Sequence, residues 1–266
     1  MCELLGMSAN TPTDLCFSFR GFSARGGRTG EHRDGWGCAF YLGDRLLRVR
    51  DPEPAAESPL ADVFRKIPIR SKLALSHIRK ATQGTIDRRN CHPFSQRLGD
   101  REWVFAHNGH IDFDLLRDRC PLGRYQPQGE TDSEHLFCWI LDRLTHLTEP
   151  QPEQVLPILR DLSDRFPSPS IVNFLLGDGR YLYAHCSTAL AWVTRRYPFT
   201  RASLIDEDHA IDFSGCTSPS DVVSIIATRP LTQDEVWTVL KPGDLLVLAE
   251  GEVVAPSATH PIAIAS

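Results

Sequence analysis

A cysteine stands second in the chain, behind Met1. Cysteine is small, and a small second residue permits removal of the initiator methionine. A thiol and a free α-amine would then belong to one residue, Cys2. An unperturbed α-amine has a pKa of about 7.7–8.0, so a useful fraction is neutral at pH 7 and can take the thiol proton. Nucleophile and base then lie within one residue, and no histidine is required. On its own a cysteine in this place is weak ground, because chance puts one there as well.

Four further stretches add weight. Arg33-Asp34-Gly35-Trp36-Gly37 is a glycine turn leading into an apolar run. Ser76-His77-Ile78-Arg79-Lys80-Ala81-Thr82-Gln83-Gly84 closes a second apolar run, and Ala106-His107-Asn108-Gly109-His110 closes a third. Asn-Gly is a strong turn signal, so residues 107–109 are expected to leave the strand. Gly129-Glu130-Thr131-Asp132-Ser133-Glu134 has capping-box form, with Thr131 as N-cap and Glu134 three residues on. An acid at position 132 also suits a helix start through the helix dipole.

The elements that must hold these residues are mostly strands. Residues 2–7, 73–78 and 103–106 read as strands, and 38–42 with 46–49 as a hairpin around Gly43-Asp44. Leu136, Phe137, Ile140, Leu141 and Leu144 fall on one helical face behind Thr131. A second helix is expected over 153–165, with Pro157 shortening or kinking its start. Residues 171–176 and 181–185 flank Gly177-Asp178-Gly179 as a hairpin, and 189–194, 222–227 and 245–249 continue the strands. Strands, then a helix pair, then strands again suggest two sheets with helices on their outer faces, in one domain over 1–266.

These stretches, with Asn90-Cys91-His92-Pro93-Phe94 between them and Met1-Cys2 before them, resemble in order and spacing the class II glutamine amidotransferases. The small stand-alone YafJ-type branch is the nearest match. The motifs cover roughly the first 140 residues. Ser187-Thr188 and Trp192-Val193-Thr194-Arg195-Arg196 in the remainder also look like that branch. A lone His-Asn-Gly is common; all the motifs in this order behind Cys2 are specific. Two neighbours depart from the pattern: Glu3-Leu4 replaces the usual Gly-Ile, and Arg33 replaces a proline.

The resemblance implies an α/β (α+β) fold, the four-layer αββα sandwich of N-terminal-nucleophile hydrolases. It assigns Cys2 as nucleophile, and Asn108 (side-chain amide) with Gly109 (backbone N–H) as the oxyanion hole. Arg79 matches the grip on the glutamine α-carboxylate, which suits a planar fork. Asp132 matches the partner of the α-ammonium, and His77 and Thr82 belong to the same substrate-binding stretch. Each has a plain structural alternative: Arg79 a surface ion pair, Asp132 a helix start, Asn108-Gly109 a turn.

The implied reaction is hydrolysis of the glutamine side-chain amide, with no cofactor and no metal. The partners are glutamine or another γ-glutamyl compound and, where ammonia is used, an acceptor enzyme on another chain. A γ-glutamyl peptide or amine hydrolase is the alternative within enzymes; a non-catalytic glutamine-binding regulatory module is the alternative outside them. His77, His107 and His110 lack the acidic or thiol companions a metal site needs. The eight cysteines form no Cys-x-x-Cys pair and are expected as thiols. Cys38, Cys138 and Cys186 are expected in the core, and Cys91, in a polar loop, partly exposed. A net charge of -5 argues against nucleic acid or an anionic membrane as partner. No apolar run reaches the roughly 20 residues of a membrane span, and no signal peptide is legible, so the cytoplasm is expected.

Overall fold

The computed structural model describes residues 2–166, 169–256 and 262–263. The first half of the chain gives β1 (Glu3–Thr13), α1 (Cys16–Ala24), β2 (Trp36–Leu42), β3 (Arg45–Asp51), α2 (Pro59–Lys66), β4 (Ser71–Ile78), β5 (Phe94–Leu98), β6 (Arg101–His110), α3 (Phe113–Arg119) and α4 (Asp132–Leu144). The second half gives α5 (Pro152–Arg165), β7 (Ile171–Gly177), β8 (Leu182–His185), β9 (Ala191–Arg196), β10 (Arg201–Ser203), β11 (Ala210–Asp212), β12 (Val222–Ala227), β13 (Thr238–Val239), β14 (Leu245–Ala249), β15 (Glu252–Pro256) and β16 (Ile262–Ala263). Among the described residues the strands build two large sheets. One runs β16-β13-β9-β12-β1-β4-β2-β3, the other β15-β14-β8-β7-β6-β5, and β10 and β11 form a separate ribbon.

Side-chain alternation along the strands sorts the core into layers. Leu5 and Met7 of β1, Ala74 and Ile78 of β4, and Trp36 and Phe40 of β2 pack with Phe19 and Phe22 of α1 and Phe64 of α2. Trp103 and Phe105 of β6 and Phe174 of β7 pack with Phe137 and Ile140 of α4 and Leu159 of α5. The alternate residues, Leu4, Leu73, Leu75, Val104, Ala106, Leu175 and Ile226, meet between the sheets. The order is therefore helices, sheet, sheet, helices: the αββα sandwich. Gly6 lets the sheets approach closely, since a Cβ there would come within 2.9 Å of Leu182 and 3.0 Å of Leu175.

The same alternation places the chemistry. Counting by twos from Leu4, Leu75, Ala106 and Ile226 leads to Cys2, His77, Asn108 and Thr228. All four lie at one end of the layer between the sheets. The apolar core gives way there to a polar end, and antiparallel register holds the strands that carry it: Glu3 opposite Ile78, and Leu5 opposite Ala227.

The helix behind Thr131 forms as its pattern predicts. The Thr131 hydroxyl accepts from Glu134 N at 3.2 Å. Glu134 does not close the box, because its carboxylate accepts instead from Gly129 N at 2.6 Å. Phe137 stacks on Phe105 at 5.4 Å. Burying each ring is worth about 1.5–3 kcal/mol, and this contact ties α4 to β6. The helix expected over 153–165 starts at Pro152 and runs through Pro157. The two smaller helices on the first sheet, and α3, are not legible as helices in the sequence pattern.

Two expectations fail. Residues 107–109 do not form a turn: β6 runs on to His110, with Asn108 opposite Asn173 and Gly109 opposite Val172. Pairing with a strand more than sixty residues later overrides the local Asn-Gly preference. Cys91 is not exposed but fully buried. Its sulfur packs beneath Gly35, where a Cβ would lie only 2.5 Å away. Gly35 has φ +116°, so its lack of a side chain is required twice over. No helix among the described residues is long and apolar enough to cross a membrane.

Candidate active site

Cys2, Arg79, Thr82, Gly109 and Asp132 line one cleft, together with Lys80, Ala81, Gln83, His92, His107, Thr131 and Ser133. Asn108 and His77 are not among its lining residues; both are buried next to residues that are, Asn108 beside His107 and Gly109 and His77 within hydrogen-bond reach of His107 O. The cleft holds about 20 Å³, room for roughly one water. A larger cavity of about 860 Å³ lies along the outer face of the first sheet, from Met7 to the far end of β1. Its Thr11 edge is about 30 Å from Cys2 by strand rise, and it contains none of the candidate residues.

The Cys2 thiol is gripped by the backbone of one residue, Lys80. Lys80 N donates to Sγ at 3.3 Å, and the S–H donates to Lys80 O at 3.4 Å. Burial pushes the Cys2 pKa up to about 11. A protonated thiol is therefore the resting form at neutral pH, and attack needs a base at the moment it occurs. Met1, whose loss would free the Cys2 amine, lies outside the described residues.

Arg79 is not a free fork. Nη1 donates to Thr85 O at 3.0 Å, and Nη2 to Gln83 O and Gly84 O at 2.8 and 3.3 Å. Its backbone exchanges bonds with the glycine turn, through Arg79 N to Gly35 O and Asp34 N to Arg79 O. The Asp34 carboxylate accepts from Ala81 N at 2.7 Å. The segment 80–85 is thus pinned beside the cleft by Arg79 and Asp34. Asp132 is held by donors from both sides: Ile111 N at 2.9 Å and Ser133 N at 2.8 Å. Thr82 faces the cleft from the same folded segment.

Gly109 must be glycine for steric reasons. An added Cβ would lie 1.8 Å from Ile171 O and 2.5 Å from His107 Nε2. Asn173 Nδ2 donates to Asn108 O at 3.1 Å, fixing the peptide between the two oxyanion candidates.

The histidines are braces rather than ligands. His77 Nε2 donates to His107 O at 3.1 Å, and its ring lies 4.1 Å from that of His92. Burial lowers the His77 pKa to about 3, so the ring is neutral. His107 is also lowered by burial; it donates from Nε2 to Ile171 O and meets the Ser133 hydroxyl through Nδ1. His92 faces the cleft with both ring nitrogens unpartnered among the described residues, and burial holds it neutral. The pattern reading gave no role to His92, Lys80, Ser133 or Thr228. His92, Lys80 and Ser133 sit within quoted motifs, whereas a lone threonine after a strand leaves no signal.

A stability profile follows. The folded pKa values of His77, His92 and His107 lie below the unfolded value near 6.5. The unfolded chain therefore binds more protons below pH 6.5, so their contribution is complete above that pH and falls away toward pH 3. Thermal melts at pH 7.5, 6 and 5 should show a steady drop in melting temperature, before carboxylates titrate. A flat profile across that range would show that these rings are accessible and charged.

Comparison with known proteins supplies an independent finding. The chain matches the family described as Glutamine amidotransferases class-II over residues 1–264. It is 46% identical over 258 residues to YafJ of Escherichia coli (strain K12), a protein classed with the glutamine amidotransferases, covering 96% of this chain and 100% of that one. It superposes on the 2.0 Å crystal structure of a predicted glutamine amidotransferase from Pseudomonas aeruginosa with a TM-score of 0.73 and 40% identity, covering 96% and 100% of the two chains. It also shares its fold with the phosphoribosylpyrophosphate amidotransferase of Bacillus subtilis, at a TM-score of 0.62 and 15% identity, covering 95% of this chain and 48% of that one.

Proposed function

Because this chain belongs to the class-II glutamine amidotransferases, we propose that it hydrolyses the side-chain amide of glutamine with Cys2 as nucleophile. The observation that carries the reading is the convergence of Cys2, Arg79, Gly109 and Asp132, from separate elements, on one cleft. The neutral α-amine of processed Cys2 takes the thiol proton as sulfur attacks the δ-carbonyl. Negative charge builds on the carbonyl oxygen, where the Asn108 amide and the Gly109 N–H stabilise it. The ammonium returns its proton to the leaving nitrogen, and ammonia departs. Water then cleaves the γ-glutamyl thioester to glutamate. A thiol raised to about 11 fits proton transfer in step with attack. The ammonia is available to an acceptor enzyme on another chain.

Glutamate and ammonia release from glutamine by purified, Met-processed protein tests the reaction. A panel of γ-glutamyl amides run beside it would show a preference for another leaving group. No turnover of any member would remove the proposal.

Substrate anchoring gives a second test. Arg79→Lys keeps the charge but loses the fork and its bonds to the 83–85 carbonyls, so KM for glutamine should rise by about tenfold or more. Asp132→Asn should raise KM likewise, by removing the counter-charge to the substrate ammonium. Unchanged KM in both would show that the α-carboxylate and α-ammonium are bound elsewhere.

A further inference from the structure

We propose that Thr228 is a positioning residue that turns the Asn108 side-chain amide so that its NH2 group is left free for the oxyanion. The inference rests on the reading of Asn108 as an oxyanion-hole donor and adds the residue that sets its orientation.

Thr228 follows β12, next to the strand that begins behind Cys2. Its Oγ1 lies 2.9 Å from Leu4 N and 3.4 Å from Asn108 Nδ2. Thr228 N donates to Leu4 O at 3.1 Å, which fixes the residue against the first strand. A hydroxyl has one hydrogen to give and two lone pairs to accept with. With Nδ2 turned toward it, the Thr228 oxygen accepts twice, and its own hydrogen has no acceptor among the described residues. Asn108 Oδ1 is then a buried acceptor without a donor. Two groups that could satisfy each other are both left idle, and a buried polar group without a partner is destabilising.

A half-turn of the amide resolves this. The two ends of an asparagine side chain have nearly the same shape, so the turn changes chemistry and not packing. Oδ1 then accepts the Thr228 hydrogen, while the Thr228 lone pair keeps the Leu4 N–H. The NH2 group moves to the buried place that Oδ1 now holds, on the side away from Thr228. An oxyanion hole needs such a donor, whose partner exists only while the carbonyl oxygen carries charge. In the unturned orientation the same place holds a carbonyl oxygen, which repels that charge. Threonine suits the task because a single hydroxyl reads one strand's N–H and the amide's oxygen together.

The test is a double-mutant cycle on the processed enzyme, with glutamine as substrate. Thr228→Val keeps the shape and removes the hydroxyl. It should lower kcat by about ten- to a hundredfold with KM within about twofold, since the donor is misaimed but present. Thr228→Ser keeps the hydroxyl and should stay within about threefold of the parent. In an Asn108→Ala background, Thr228→Val should cost no further kcat, because nothing remains to orient. Thr228→Ala replaces the valine variant if that one does not fold, and melting curves beside the kinetics separate lost fold from lost orientation. Additive losses in the double variant, or a serine variant as poor as the valine, would overturn the proposal. Native kcat in Asn108→Ala alone would instead sink the oxyanion reading beneath it.

Discussion

Cys2→Ala should reduce glutamine hydrolysis to the uncatalysed background and leave the protein folded. The thiol hydrogen-bonds to the backbone of one residue, through Lys80 N and Lys80 O. Losing one weak acceptor for a backbone N–H costs about 1 kcal/mol, a shift of a few degrees in melting temperature. The chemical loss has no such limit, because no other group in the cleft can form the thioester. A glutamine analogue carrying an electrophile at the δ-position should label one thiol, and peptide mapping should place it at Cys2. Cys91 is a poor competitor because it is fully buried, whereas Cys2 is partly exposed. Cys216, which is exposed, is the control for unselective alkylation. Label at Cys216 with activity retained in Cys2→Ala would refute the assignment. Mass spectrometry of the same samples reports whether Met1 is removed, and activity should follow the processed fraction.

Asn108→Ala should lower kcat by about two to three orders of magnitude while KM changes little. The amide meets charge that exists only in the transition state, so its loss raises the barrier without weakening ground-state binding. The structure makes the structural alternative separable. Asn108 is held in β6 by strand pairing and by Asn173, which bonds its main-chain oxygen, so the side chain is not needed for the backbone course. A melting temperature near that of the parent is expected. A kcat that falls only in proportion to the folded fraction would reduce Asn108 to a structural residue.

Much of this arrangement is written locally, and the parts that are not share one cause. Helix α4 is legible because its cap and its apolar face lie within fourteen residues of each other. The hairpin around Gly43-Asp44 is legible for the same reason. Asn108-Gly109 reads as a turn because turn preference is local, but its conformation is decided by β7. Cys91 reads as exposed because its neighbours are polar, but Gly35, distant in sequence, leaves the space it fills. Helix α1 hides because its Phe17, Phe19 and Phe22 share a short segment with Gly21, and its N-cap residue, Leu15, has no side chain that can cap. Among the candidate residues, motif order picks out Cys2, Arg79, Gly109 and Asp132, which line the cleft. It cannot tell that His77 faces the inner layer, nor that Arg79 already holds three carbonyls. Those facts depend on which strands become neighbours.

The first strand has the latest of neighbours. Glu3 to Ala9 pair on one side with β4 and on the other with β12, and Leu4 N bonds a hydroxyl 224 residues further on. Cys2 is thus seated only when a strand more than two hundred residues away lies beside β1. Contacts so distant form slowly, because the whole intervening chain must first be brought into place. A nascent or truncated chain that stops before β12 leaves the cysteine on an open sheet edge, without Thr228 behind it. The bare edge of such a fragment is a template for aggregation. Any chemistry at Cys2 therefore waits on the pairing of β1 with β12.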